Sequence, residues 1–127
     1  MKQIIFSPNA PAPVGPYSQA VIANGILYVS GQIAIEPASG AILMGDISKE
    51  TRQVMENMKA VLSAAGIGFE QVIKCTIFMT DMNNYAAINK VYAEYFDEKT
   101  APAREAVEVA GLPKDVNVEI SCMALVK

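Results

Sequence analysis

Arg104 and Glu119 are the two residues of this chain whose types and setting point most directly to chemistry. Each falls in an alternating apolar stretch that reads as a strand, roughly Arg104 to Val109 and Val116 to Leu125, and the turn between them carries Gly111 and Pro113. If that turn is centred between Leu112 and Pro113, Arg104 lies opposite Ser121 and Ala106 opposite Glu119. Side chains two apart on a strand share a face, so Arg104, Ala106, Glu119 and Ser121 are expected to point the same way. A one-residue slip would break the arrangement. A guanidinium there could fork onto a substrate carboxylate with two parallel charge-assisted bonds, which lysine could not reproduce. The glutamate could hold and polarise a water, and the neighbouring arginine is expected to lower its pKa. The same pair also reads as a cross-strand salt bridge of modest value. The residue pattern alone leaves both readings open.

Other positions carry weaker signals. Tyr17 follows a proline run and could wall a pocket or simply pack at a turn. Ser30-Gly31-Gln32 ends a strand with a glycine that would let a ligand approach the backbone, although strand-end glycines are mostly conformational. Asn89 sits in an otherwise apolar helical stretch, where a solvent-facing or back-bonding side chain is the commoner explanation. Gly66-Ile67-Gly68 lacks the rest of a phosphate-binding loop and reads as a helix stop. Met44, Met55, Met58, Met79, Met82 and Met123 read as core filling, and Cys75 and Cys122 as buried, reduced thiols. The chain has no histidine, which excludes a histidine triad, a histidine general base and the common zinc sites. No metal site is expected, since the two cysteines lack metal-ligand spacing.

The elements that must position these residues follow from local pattern. Pro8, Pro11, Pro13 and Pro16 force an extended, irregular segment. Ser18 to Ala23 and Ile26 to Ser30 are apolar runs joined by Asn24-Gly25, the preferred pair for a tight type I′ hairpin. Ser48 to Ala65 predicts a helix with Val54, Met55, Met58, Val61, Leu62 and Ala65 on one face and Gly66 as its stop. Val72 to Thr80 predicts a strand with Ile73, Cys75, Ile77 and Met79 on one side and Val72, Lys74, Thr76 and Phe78 on the other. Asp81 is placed to cap a second helix reaching about Phe96, with Tyr85, Ile88, Tyr92 and Tyr95 inward. The order ββ-α-β-α-ββ implies an α+β sandwich, two helices on one face of a mostly antiparallel sheet. The uncovered face would then expose Val72, Phe78, Met123 and Leu125, and a symmetric oligomer is the simplest way to bury it.

Composition narrows the field. The 127 residues make one domain, 1–127, with 52% hydrophobic and 18% charged residues and a net charge of −3. That acidic balance disfavours nucleic-acid binding, and the scattered Lys and Arg suggest no membrane surface. The first residues, MKQIIFSPNAPAPVGP, do not read as a signal peptide, and no stretch reaches membrane-spanning length. A cytoplasmic protein is expected.

The segments Pro11 to Gln19 (PAPVGPYSQ), Ser30-Gly31-Gln32, Pro102-Ala103-Arg104 with VEVAGLPKD (107–115), and VEI (118–120) resemble, in order, the motifs of the RidA/YjgF family. The likeness runs from about residue 4 to the C-terminus. It implies a chorismate-mutase-like fold assembled as a homotrimer, with ligand clefts between subunits. It also implies hydrolysis of 2-aminoacrylate- and 2-aminocrotonate-like enamines and imines (2-iminopropanoate, 2-iminobutanoate) to 2-keto acids and ammonia, with no cofactor. Carried over by position, Arg104 matches the carboxylate-binding arginine and Glu119 the water-orienting acid. Tyr17 matches a pocket tyrosine, Ser30 and Gly31 the pocket wall, and Asn89 a polar position near the cleft. Two positions depart from the pattern. The family's frequent cysteine is Ala106 here, and Glu105 replaces a small residue; in a regular strand Glu105 should point away from Arg104. The competing readings are a non-catalytic small-carboxylate binder or regulator on the same cleft and an RNA-cleaving enzyme. The second suits an acidic, histidine-free chain poorly. Chorismate mutase activity follows from fold analogy alone, which says little about function.

Overall fold

The computed structural model describes residues 1–126. Its elements are β1 (Gln3–Ile5), β2 (Ala20–Ala23), β3 (Ile26–Gln32), α1 (Ile47–Ala64), β4 (Val72–Met79), α2 (Tyr85–Ala93), β5 (Ala103–Glu108) and β6 (Val118–Leu125). They form one six-stranded sheet in the order β1-β2-β3-β6-β4-β5, with the helices packed on one face. Only the β4–β5 pair is parallel. The α+β layering matches the expectation from sequence; the short strand β1 was not anticipated.

Local chemistry explains most of the elements. Asn24 (φ 52°) and Gly25 (φ 77°) turn β2 into β3 in the left-handed conformations that a type I′ hairpin demands. Asp46 caps α1 by accepting the Ser48 and Lys49 amides at 2.9 and 3.2 Å. Gly66 (φ 77°) ends it, and the Ile67 amide reaches back to the Leu62 carbonyl. Between those ends Val54, Met55, Met58, Val61 and Leu62 are fully buried and supply the helix side of the core. Asp81 caps a 3₁₀ turn, Met82–Asn84, that leads into α2. The regular helix ends at Ala93, so Tyr95 and Phe96 reach the core from the turn beyond it, stacked around Phe69.

Two sequence expectations are overturned, both by long-range pairing. β5 does not form a hairpin with β6. The chain leaves β4, crosses through α2 and returns as β5 parallel to β4, with Arg104 beside Cys75 and Ala106 beside Ile77. A helical crossover delivers the next strand parallel to the first, and β6 then enters between β3 and β4 instead of at the edge. The second correction concerns Val72 and Ile73. A bulge between Val72 and Lys74 turns Val72 into the core at 5% exposure and Ile73 outward at 40%. Phe78, Met123 and Leu125 do lie on the uncovered face, joined there by Tyr28.

One buried group holds the approach to β6. Glu50, in the first turn of α1, is fully buried and accepts both the backbone amide and the side-chain amide of Asn117 at 2.8 Å each. Just upstream, Lys114 (φ 58°) and Asp115 (φ 57°) sit in the left-handed region, which costs about 1 kcal/mol each for residues with a Cβ. The Glu50 clamp and the bond from the Thr80 amide to the Asn117 carbonyl fix the strand that follows. That strand carries Glu119.

Candidate active site

Glu119 lies on the face of the sheet away from the helices, since its neighbours Val118 and Ile120 are fully buried in the core. Opposite it, β3 gains a residue: Val29 pairs with Cys122 but Gln32 pairs with Ile120. The extra residue falls at Ser30-Gly31, a bulge of the kind that re-aims side chains beside sites. The glutamate crosses directly over Gly31. A Cβ built there would stand 1.9 Å from Glu119 Oε2 and 2.7 Å from its Cδ. Glycine is required here by space, since Gly31 does not adopt a positive φ.

A cavity of about 380 Å³ opens at this point, lined by Tyr17, Ser30, Gly31, Gln32, Lys114 and Glu119 among others. Its far wall is the proline segment, which cannot supply enough backbone donors to order itself. Buried Gln19 does so instead: its Oε1 accepts the Ser7 amide at 2.6 Å, and its Nε2 donates to the Ser7 and Pro11 carbonyls at 3.1 and 2.9 Å. Ser30 Oγ donates to the Ser18 carbonyl at 2.6 Å, tying the bulge to the same segment. The Tyr17 ring packs beside Gly15, and its hydroxyl accepts the Val14 amide at 3.4 Å.

Burial holds the Glu119 carboxyl above its usual range, and among the described residues no cation or hydrogen-bond donor offsets it. That reverses the expected direction, because Arg104 is not beside it. Gly31→Ala should therefore act through Glu119. Only the flexible end of the side chain need move, so thermal stability should change little while activity drops at least tenfold. A melt combined with a turnover assay checks both.

Arg104 belongs to the opposite face. It projects from β5 toward α2, where Nη1 donates to Asn89 Oδ1 and Nη2 to the Tyr85 hydroxyl, each at 2.6 Å. Its guanidinium also sits 5.0 Å from the Tyr92 ring centroid and 5.6 Å from that of Tyr85. Three α2 side chains thus hold it, spaced i, i+4 and i+7 on one helix face. Ala106 follows on the same side of β5. Glu105 points the other way and pairs with Lys74 at 2.7 Å, so it does not crowd the guanidinium. Beneath the arginine, Cys75 and Cys122 face each other across β4 and β6, both buried and free. Burial raises both thiols, which makes them poor nucleophiles.

The candidate residues therefore fall into two groups within one chain. Tyr17, Ser30, Gly31 and Glu119 meet around the cavity; Arg104, Asn89 and Ala106 meet on the helix side of the β5 edge. The expectation that Arg104, Ala106, Glu119 and Ser121 share a face is incorrect, because β4 separates the strands and Arg104 and Glu119 take opposite sides of the sheet. Tyr85, Tyr92 and Lys114 were not picked out as site residues. The helical spacing of Tyr85 and Tyr92 around Asn89 could have marked the first two; the left-handed turn that presents Lys114 has no such local mark. Among the described residues, no group of three His, Cys, Asp or Glu side chains could hold a metal ion. Among the described residues, no helix is long and apolar enough to cross a membrane.

Comparison with known proteins places this architecture. Residues 7–126 match the family described as Endoribonuclease L-PSP. A RutC family protein of Pyrococcus horikoshii is 56% identical over 124 residues, covering 98% of each chain. A 2-iminobutanoate/2-iminopropanoate deaminase of Capra hircus is 42% identical over 125 residues, covering 98% of this chain and 90% of that one. The crystal structure of YyfA, a Rid-family protein of unknown function from Yersinia pestis, superposes with a TM-score of 0.96 at 49% identity, covering 99% of this chain and 100% of that one. A fold and sequence shared over nearly the whole length, site-bearing segments included, leave one assignment: this chain belongs to the Endoribonuclease L-PSP family, also known as the YjgF/RidA family.

Proposed function

We propose that the protein is a 2-iminobutanoate/2-iminopropanoate deaminase, which hydrolyses reactive 2-imino acids, and the enamines that tautomerise to them, to 2-keto acids and ammonia. The observation that carries this reading is Glu119, a half-buried carboxylate with no compensating cation or donor among the described residues, held over a cavity by a glycine that leaves it room. A module that merely binds carboxylates has a use for Arg104 but none for such a base. The imine deaminase among the relatives supports the reaction class. The regulatory, binding-only reading is the alternative, and RNA cleavage is disfavoured by the net charge of −3 and the absence of histidine.

In this reaction the iminium carbon is already electrophilic, so positioning and proton transfer suffice. Arg104 would bind the substrate carboxylate and fix C2 beside a water held by Glu119. Glu119 takes a proton as the water oxygen bonds to C2, giving a carbinolamine. Returning that proton to nitrogen makes ammonia the leaving group, and the carboxylate so regenerated takes up the hydroxyl proton as the carbonyl forms and ammonia departs. A carboxyl whose pKa is lifted by burial is a stronger base for the first step and, once protonated, keeps its proton available to higher pH for the second. Tyr17, Ser30 and Gly31 would wall the pocket on the Glu119 side, with Asn89 and Ala106 on the arginine side.

Because Arg104 and Glu119 occupy opposite faces of one sheet, we take the working site to join the arginine side of one subunit to the Glu119 cavity of the next. The uncovered apolar face, with Tyr28, Phe78, Met123 and Leu125, supports burial against further copies of the chain, and the family resemblance implies that the assembly is a cytoplasmic homotrimer. The test is keto-acid release in the presence of semicarbazide, with the imine supplied by a threonine dehydratase. Wild type should accelerate release. Arg104→Ala and Glu119→Gln chains, each inactive alone, should regain partial activity when refolded together, because some mixed interfaces carry both intact halves. Ligand binding without acceleration would give first place to the regulatory reading.

A further inference from the structure

We propose that the Tyr85 hydroxyl is a second carboxylate donor, acting beside Arg104 to select 2-imino acids over uncharged imines; the inference rests on the carboxylate-binding role given to Arg104 above. The geometry of the pair supplies the reason. A guanidinium has five N–H donors, two on each terminal nitrogen and one on Nε. Nη1 spends one on Asn89 and Nη2 spends one on Tyr85, both at 2.6 Å. Each terminal nitrogen thus keeps one N–H for an incoming oxygen, and the bonds to α2 fix the direction of that remaining fork.

Tyr85 is not only an anchor in this arrangement. Its oxygen accepts from Nη2, so the phenol proton must point away from the guanidinium. Among the described residues that proton meets no acceptor, and Tyr85 is only half-buried. A donor without a partner therefore stands beside the N–H that Nη2 retains. A carboxylate oxygen settling on that N–H comes within reach of the phenol as well. The other oxygen of the same carboxylate faces the N–H of Nη1. Phenylalanine at this position would keep the ring and its stacking on Arg104 but lose the donor.

Asn89 differs in a way that sharpens the assignment. Its amide nitrogen is also a donor, but the amide is rigid and its oxygen is committed to Nη1. Tyr92 cannot serve, because its hydroxyl is buried beside the Cys75 thiol. Tyr85 alone combines a firm contact to the arginine with a proton that is free and accessible.

The experiment compares wild type, Tyr85→Phe, Arg104→Lys, the double variant of those two and Arg104→Ala. It measures kcat and KM for imine hydrolysis, and pyruvate binding by calorimetry. Tyr85→Phe should raise KM and the pyruvate Kd about tenfold, the usual worth of a hydrogen bond to a charged group, while kcat stays within about twofold. The loss should persist in the Arg104→Lys background, because the phenol reaches the ligand itself. If Tyr85→Phe costs nothing once Arg104 is lysine, Tyr85 acts only by positioning the guanidinium and the proposal is overturned. An unchanged Kd in Tyr85→Phe, with binding still lost in Arg104→Ala, would also overturn it while leaving the role of Arg104 intact. Wild-type binding of pyruvate without turnover would count against the hydrolytic reading, and an elevated Kd in Tyr85→Phe would support this one independently.

Discussion

Arg104→Ala should lower kcat/KM for imine hydrolysis about a thousandfold while leaving the protein folded. The reasoning weighs two sets of contacts. On the structural side, the substitution strands Asn89 Oδ1 and the Tyr85 hydroxyl. Both residues are half-exposed, so water can replace the guanidinium and the stability cost should be about 1 kcal/mol. On the functional side, a two-pronged charge-assisted bond to a carboxylate is lost, and removing one partner of such a pair costs about 2–5 kcal/mol. At 1.4 kcal/mol per tenfold that spans roughly thirtyfold to several thousandfold, with misplacement of C2 adding to it. Arg104→Lys should recover little, since an ammonium keeps the charge but not the planar fork. Keto-acid release and a denaturation curve on the same samples separate the two effects. Near-normal turnover in Arg104→Ala would remove the arginine from the mechanism.

Glu119→Gln should have the second large effect, in opposite directions for activity and stability. Loss of the general base should lower kcat by about 10² to 10⁴ with a smaller change in KM. The pH profile gives a finer test. Activity needs the ionised carboxylate, and burial has raised its pKa, so wild-type kcat/KM should fall with decreasing pH through a limb above the ordinary carboxylate range. The variant should lack that limb. For stability the sign reverses. A carboxyl whose folded pKa exceeds its unfolded one favours the fold fully only below the unfolded value. That contribution is lost as pH rises through the folded value. At neutral pH the ionised, half-buried Glu119 therefore weakens the fold, and glutamine in its place should make the protein more resistant to urea. Lower turnover with higher stability is the pattern of a residue kept for chemistry. A variant that is both inactive and less stable would mark Glu119 as structural.

Much of the local structure could be read from neighbouring residues. Asn24-Gly25 specifies its hairpin because few other pairs accept positive φ at both positions, and the apolar face of α1 is set by helical spacing from Val54 to Leu62. Ser30-Gly31 was legible as a place of close approach, although not as the bulge that seats Glu119. The inward spacing of Tyr85 and Tyr92 was visible too, without their contact to Arg104. Each of these features is settled within a few residues of chain.

The pairing of β5 was of another kind. Nothing near Arg104 or Glu119 states that β4 lies between their strands, because strand partners are chosen by burial across the whole sheet, and with a side-chain period of two the choice decides which face each residue takes. The sequence by itself determined the residues, their local elements and the family they resemble. Only the tertiary structure decided that Arg104 turns toward α2 while Glu119 turns toward the Gly31 cavity. Those directions were set when the crossover through α2 made β5 parallel to β4 and left the place between β3 and β4 for β6.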